Sequence, residues 1–413
     1  MNRGVYECIK CGHREVMDST EPLLENSCPK CGGDMVLVGF DTASMIIQES
    51  VTEDDDALLN ELTKFYVVEP YKKEGDVTVF KILQIRENNF EIVLRELERL
   101  GYWAALKRKD KSEEIFLYIF PAQPPKEENP WIGIILFVTT VFTTLLAGYM
   151  LSMGYIATLD KYGLPGIRNP YLNAIAFSIS ILTILGTHEM GHKIAATYHG
   201  IRSTFPYFIP FPNILGTLGA VIRVKSPIPT RDAAIDLGVS GPLAGFLVAI
   251  PVSLIGLRLS VQVPATWITS TAGGIYFGEN LFFMILEKYV MHISSNIVLF
   301  LHPVAIAGWI GILVTFLNLI PAAQLDGGHI ARAFMKGKLH HYLTVALGLA
   351  MLALSYLWVT WLLWGILILL LGMAGNPGAL DEVTPISKKR LLFALIAVII
   401  FVLSATPVPI KTG

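Results

Sequence analysis

The sequence predicts a polytopic α-helical membrane protein of about six or seven spans, preceded by a zinc ribbon and a small soluble α+β domain. Three observations predict it. Hydrophobic residues make up 53% of the chain and charged residues only 16%, and the mean hydropathy of +0.53 is one that a soluble domain rarely reaches. Most charged side chains fall in the first 130 residues, after which long apolar stretches are joined by short loops. The only cysteines form two C-x-x-C-G knuckles near the amino terminus. A net charge of -2 gives no sign of a nucleic-acid partner.

The knuckles are Cys8-Ile-Lys-Cys11-Gly and Cys28-Pro-Lys-Cys31-Gly, with sixteen residues between Cys11 and Cys28. Four thiolates at that spacing close a tetrahedron around zinc, and each glycine frees backbone amides to approach sulfur. Two disulfides or a redox pair are the competing arrangements. The polar opening Met1-Asn-Arg-Gly-Val-Tyr-Glu shows no secretory signal, which weighs against both. Residues 1–40 are therefore expected to hold one structural zinc, which folds a segment too short for its own core and offers a docking surface to a protein partner.

Residues 41–129 read as the α+β domain. A β-branched, alternating stretch predicts a strand over 76–85. Phe90, Val93, Leu94, Leu97 and Leu100 then recur at helical spacing between an Asn89 cap and Gly101. Two further strands are expected over 102–107 and 114–120. No cluster of nucleophile, base or ligand appears here, and a proline-rich acidic linker, 121–130, ends the domain.

The membrane domain occupies 130–413, with spans expected near 131–151, 171–198, 237–257, 304–320, 342–355, 357–372 and 391–405. The fifth and sixth form one apolar run, too long for one span at about 1.5 Å per residue and short for two. Loop charge favours two. With a cytoplasmic amino terminus the inner loops carry Arg202, Arg223, Lys225, Arg231, Arg332, Lys336, Lys338, Lys388, Lys389 and Arg390, against scattered Lys161, Arg168, Arg258 and Lys288 outside. The expected location is the cell membrane, and the absence of a transit peptide speaks against a chloroplast form.

The chemistry is concentrated in the second span, at Thr187-His188-Glu189-Met190-Gly191-His192. With 3.6 residues per turn, two histidines four apart share one helical face, a spacing that lets both imidazoles bind one zinc. Glu189 is then placed to take a proton from a zinc-bound water instead of binding the metal. Capping a helix in the interface is the plainer role for such histidines, so the motif needs a third ligand. The second and fourth spans run in the same direction, so what closes the fourth should meet His192. That segment is Asn318-Leu-Ile-Pro321-Ala-Ala-Gln-Leu-Asp326-Gly327-Gly328. Proline and paired glycines break the helix, and Asp326 is either a turn residue or the third ligand; the motif on the neighbouring span favours the ligand. Two imidazoles and a carboxylate leave a fourth position open, as a catalytic site requires.

His188-Glu-Met-Gly-His192, Asn318-Leu-Ile-Pro321 and Leu325-Asp326-Gly327, with Ser240-Gly-Pro-Leu-Ala-Gly245 between them, resemble the site-2 protease family of intramembrane zinc metalloproteases. Val68-Glu-Pro-Tyr71 and Asn213-Ile-Leu-Gly-Thr-Leu-Gly219 resemble its EGY-type branch, which carries a soluble amino-terminal module. The resemblance covers roughly residue 60 to the end and leaves out the ribbon. It implies a catalytic zinc on His188, His192 and Asp326, with Glu189 as general base and Asn318 near substrate or oxyanion. Cleavage of membrane-anchored proteins within the bilayer, near the cytoplasmic face, is the activity it implies.

Residues 205–224 alternate proline, aromatic and glycine residues and then gain strand character over 217–224. This stretch is expected either to pair its edge with an unwound substrate, with Asn213, Gly216 and Gly219 as candidate substrate contacts, or to be a plain interfacial hairpin. Gly238, Gly241 and Gly245 are expected to serve ordinary helix packing. His199, His292, His302, His340 and His341 stand near span ends and are expected at the interface. The alternative to a protease is a non-enzymatic zinc carrier or scaffold. A carrier needs ligands in a line across the bilayer, whereas these gather at one depth.

Overall fold

The computed structural model describes residues 3–8, 11, 13–18, 30–31, 35–40, 53–86, 89–109, 113–124, 128–264, 266, 275–293, 296–356, 358–408 and 410–412. Two compact units are present, one of Met1–Asn88 and Glu96–Ala122, the other of Asn89–Arg95 and Gln123–Gly413.

In the first unit, β1 (Arg3–Cys8), β2 (Arg14–Asp18) and β3 (Met35–Phe40) form an antiparallel sheet in the order β2-β1-β3. Cys11 and Cys31 lie in exposed turns, while Cys28 and the side chain of Cys8 lie outside the described residues. The expected four-thiolate site falls outside them for that reason. Helix α1 (Glu53–Thr63) leads into β4 (Tyr66–Glu74), β5 (Val77–Ile85), α2 (Phe90–Arg99, of which Phe90–Arg95 belongs to the second unit), β6 (Tyr102–Arg108) and β7 (Ile115–Pro121). The strands pair antiparallel in the order β4-β5-β7-β6. The expected helix and three strands stand within a residue or so of their predicted bounds, with Asn89 capping α2 and Gly101 at φ +84° just beyond its end. β4 is the strand that patterning misses. Pro70 and the charged Lys72, Lys73 and Glu74 break its alternation, and it tolerates them as an edge strand with irregular register at Val67/Val68 and Pro70/Lys72.

In the second unit, α3 (Pro130–Tyr162), α4 (Pro170–Tyr198) and α5 (Arg231–Leu259) are long and apolar enough to cross a membrane. The first two begin alike. Asn129 accepts from Trp131 N and Asn169 from Tyr171 N and Leu172 N, and in each case proline follows at the first helical position, where a missing N–H costs nothing. Between α4 and α5 lies a hairpin of β8 (Tyr207–Pro210) and β9 (Thr217–Val221). Beyond α5 come the short α6 (Leu281–Ile285), α7 (Pro303–Asn318), α8 (Asp326–Phe334), α9 (Gly337–Leu354), α10 (Thr360–Met373) and α11 (Lys388–Ser404). The uncertain run 342–372 thus folds as two helices. α9 and α10 pack closely through glycines: a Cβ at Gly348 would lie 2.6 Å from Leu369, and one at Gly372 would lie 2.7 Å from Thr344.

α5 is the hub, packed against α4, α7, α8 and α11. Phe177, Ile181, Ile184 and Trp309 are buried around it, together with its own Ile235. Lipid is as apolar as these side chains, so close packing holds such helices together more than water exclusion does. Two polar networks close the bundle. At one end His302 bonds Asn173 Oδ1 (3.0 Å), Asn173 Nδ2 donates to Ser152 Oγ (2.9 Å), and Tyr155 donates to the Leu259 carbonyl (2.9 Å). At the other, His199 and Arg390 both bond Asp236, at 2.9 and 2.6 Å. His199, His302 and His340, expected at the interface, are therefore buried; His292 and His341 are exposed.

Candidate metal centre

On α4, His188 and His192 stand one turn apart with their Nε2 atoms 3.1 Å from each other. α8 begins at Asp326, whose Oδ2 lies 3.3 Å from each of those nitrogens. These three atoms make a nearly equilateral triangle. Ligands about 2.0–2.1 Å from a tetrahedral zinc are separated by roughly 3.3–3.4 Å, so the donor set and its spacing fit that ion. Asp326 Oδ2 is also buried without a hydrogen-bond partner, an arrangement that a cation at the triangle's centre resolves. Among the described residues this is the one grouping of His, Cys, Asp and Glu side chains with metal-binding geometry.

Helix α5 shapes the pocket. The Nδ1–H of His192 donates to the Leu237 carbonyl at 2.7 Å, which leaves the Nε2 lone pair facing the triangle. A Cβ at Gly241 would overlap the His192 ring, one at Gly245 would lie 3.1 Å from His188 Cβ, and one at Gly238 would lie 2.6 Å from the Asp326 carbonyl. Each of the three glycines expected to serve ordinary packing therefore faces one of the three candidate ligands. The paired glycines after Asp326 act similarly: a side chain at Gly327 would strike the Leu319 carbonyl, and one at Gly328 would lie 2.5 Å from the Ala322 carbonyl. Only glycine lets the chain fold back so closely over the start of α8.

Glu189 is buried beside the triangle. Its Oε1 lies 4.0 Å from His188 Nε2, and its Oε2 accepts from Ile222 N at 2.8 Å. Asn318, the last residue of α7, brings its Nδ2 to 3.3 Å from His188 Nε2.

Ile222 immediately follows β9, so the hairpin borders the centre. Thr204 N donates to the Arg223 carbonyl at 3.0 Å on the β8 side, and the neighbouring Ile222 N–H therefore points from the opposite edge, toward Glu189. The β8 side is fastened to α3: Phe208 packs edge-on against Phe137, and Thr143 Oγ1 donates to the Gly216 carbonyl at 2.6 Å. Of the three candidate substrate contacts, Asn213 Oδ1 accepts from Leu215 N and Gly216 N and so forms the turn. Gly216, at φ +76°, presses on the backbone of Thr144, 2.6 Å from where a Cβ would be. Gly219, at φ +112°, lies in β9 with open space where a side chain would be. A cavity of about 1080 Å³ opens at the hairpin tip, lined by Pro212, Asn213 and Ile214 and by α3 from Thr143 to Tyr162; it does not include the triangle.

Among known proteins, residues 176–355 match Peptidase family M50. The chain is 32% identical over 248 residues to the probable zinc metalloprotease EGY1, chloroplastic, of Arabidopsis thaliana, an alignment covering 58% of this chain and 44% of that protein. It is 30% identical over 254 residues to the probable zinc metalloprotease EGY2, chloroplastic, of the same plant, covering 61% and 43%. Among solved structures, the site-2 protease from Methanocaldococcus jannaschii is 18% identical with a TM-score of 0.31, covering 58% of this chain and 92% of its own. The chain spans about half the length of the curated relatives it matches. His188, Glu189, His192, Asn318 and Asp326 all fall within the matched 176–355.

Proposed function

Because residues 176–355 match Peptidase family M50, we propose that this chain is an intramembrane zinc endopeptidase acting on membrane-anchored proteins near the cytoplasmic face. The observation that carries this reading is the position of Glu189, which is held beside the His188–His192–Asp326 triangle and outside it. A carrier has no use for such a carboxylate.

Zinc held by the triangle supplies Lewis acidity toward water and the scissile carbonyl. Glu189, anchored through Oε2 on Ile222 N–H, turns Oε1 to the attacking water, takes its proton and delivers it to the leaving amine. Asn318 Nδ2 donates to the oxygen that gains charge as the carbonyl is attacked. A transmembrane helix hides its carbonyls in its own hydrogen bonds, so the substrate must be unwound. The edge of β9 opposite β8 offers a strand partner for the unwound segment. Gly219 leaves room there for a substrate side chain, and Asn213 and Gly216 fix the turn.

The excess of Lys and Arg in one set of loops supports a cytoplasmic amino terminus, in a protein that this reading assigns to the cell membrane. The four knuckle cysteines, on the same reading, hold a second, structural zinc that completes the ribbon or a docking surface for a partner. The test is to purify the wild type and Glu189→Gln in detergent, measure zinc per chain, and incubate each with tagged single-span proteins. Two zincs in both forms and cleavage by the wild type alone is the expected result. Two zincs with no cleavage across the panel favours a carrier or scaffold, and a single zinc refutes the membrane site.

A further inference from the structure

The carboxylate of the triangle is delivered by a strained loop. Ala323, three residues before Asp326, has φ +52°, in the left-handed region that a residue with a Cβ avoids. Such a conformation persists only where the surroundings over-determine it. Here they do so from two directions. Ala323 N donates to Thr344 Oγ1 on α9 at 2.9 Å, and its carbonyl accepts from Asn376 Nδ2 at 3.1 Å, 53 residues further along the chain. The adjacent Gln324 Nε2 donates to the Gly375 carbonyl at 2.8 Å.

The segment after α10 also holds the other side of the ligand. Asn376 Oδ1 accepts from Gly378 N at 3.1 Å, fixing a tight turn, and its backbone carbonyl accepts from Arg332 Nε at 3.3 Å. Arg332, on α8 with Asp326, is anchored further on the Met335 carbonyl at 2.9 Å and on Glu382. One short segment thus grips the chain before Asp326, at Ala323 and Gln324, and after it, at Arg332.

We propose that Asn376 is a positioning residue of the metal centre: its carboxamide holds Ala323 in the left-handed conformation that aims Asp326 at His188 and His192. This rests on the zinc reading of the triangle. Loss of the Nδ2 donor lets Ala323 relax to negative φ, and the carboxylate moves with it. Glycine at 323 adopts positive φ without strain and makes the donor dispensable.

The test uses the full chain in detergent and measures zinc affinity by chelator competition, with the double variant His188→Ala, His192→Ala giving the zinc bound elsewhere. Asn376→Asp keeps the acceptor for Gly378 and replaces the donor to Ala323 with a carboxylate oxygen, which turns that hydrogen bond into a repulsion. It is expected to weaken the membrane site at least tenfold and to lower kcat more than it raises KM. Ala323→Gly alone is expected to bind as the wild type does, within about twofold, and Asn376→Asp with Ala323→Gly to regain most of the loss. Wild-type affinity in Asn376→Asp, or loss that Ala323→Gly fails to restore in a chain that still elutes and unfolds like the wild type, overturns the proposal. If the double histidine variant binds as much zinc as the wild type, the zinc reading itself has failed.

Discussion

A single methyl group added at Gly241 of α5 would overlap the ring of His192. The pocket for the imidazole is thus defined by a missing side chain on a neighbouring helix. The alanine series along this face should rank by distance. Gly241→Ala is expected to cost one zinc per chain and at least a hundredfold in cleavage, since displacement of a reacting group by about 1 Å costs on that order. Gly245→Ala, whose Cβ would sit 3.1 Å from His188 Cβ, should cost less than about tenfold. Equal losses in the two variants would show that both glycines serve helix packing alone.

Metal removal tests the orphaned carboxylate oxygen. Without a cation, Asp326 Oδ2 is buried with no hydrogen bond and only the two imidazole nitrogens near it, each 3.3 Å away, a costly state for a charged group. Chelation is therefore expected to lower the thermal midpoint of the chain and readdition of zinc to restore it. At free zinc a hundredfold above Kd the site contributes about 2.7 kcal/mol. Asp326→Ala should show no zinc-dependent shift beyond that from metal bound elsewhere, measured by detergent-phase thermal unfolding with and without chelator.

What was legible in the sequence was carried by side chains at fixed spacing. His188 and His192 declare a shared face at four residues apart, and Asp326 declares itself through the Pro-Gly-Gly break around it. The supporting groups leave no such mark. Glycine reads the same whether it faces a backbone or an imidazole, so the sequence assigns Gly238, Gly241 and Gly245 to packing. The Leu237 carbonyl that orients His192 is a group every residue carries, and Asn376 lies too far along the chain for any local pattern to link it to Ala323. His302 and His340 stand near helix ends, which suggested the interface; burial against partners such as Asn173 depends on neighbours that sequence position does not reveal.

The hairpin should matter to substrate and not to metal. Its base is tied to Glu128, two residues before α3: Tyr207 donates to Glu128 Oε2 at 2.7 Å, and Lys225 Nζ lies 3.3 Å from Glu128 Oε1. The Tyr207 hydrogen bond, opposed by burial and aided by Lys225, holds the Glu128 carboxyl below the usual glutamate range, so the tether stays charged at neutral pH and weakens only in acid. Tyr207→Phe and Glu128→Gln are each expected to raise KM several-fold with zinc content unchanged. A fall in zinc with KM constant would place the tether's effect on the centre instead.

His199, which closes α4, gives the chain an alkaline limit. Its Nδ1 lies 2.7 Å from Glu91 and its Nε2 2.9 Å from Asp236, all within the second unit. Burial alone would lower its pKa, but the hydrogen bonds to Asp236 and Glu91 outweigh that and raise it to about 9. A group whose folded pKa exceeds its unfolded value, about 6.5 for histidine, stabilises fully below the latter and loses that contribution as pH rises through the former. The thermal midpoint of the wild type is therefore expected to fall between pH 7 and pH 9.5 more steeply than that of His199→Gln, with the variant well below the wild type at pH 6.5 and the two curves converging near pH 9.5. Parallel curves over that range would show that His199 is not charged in the folded chain.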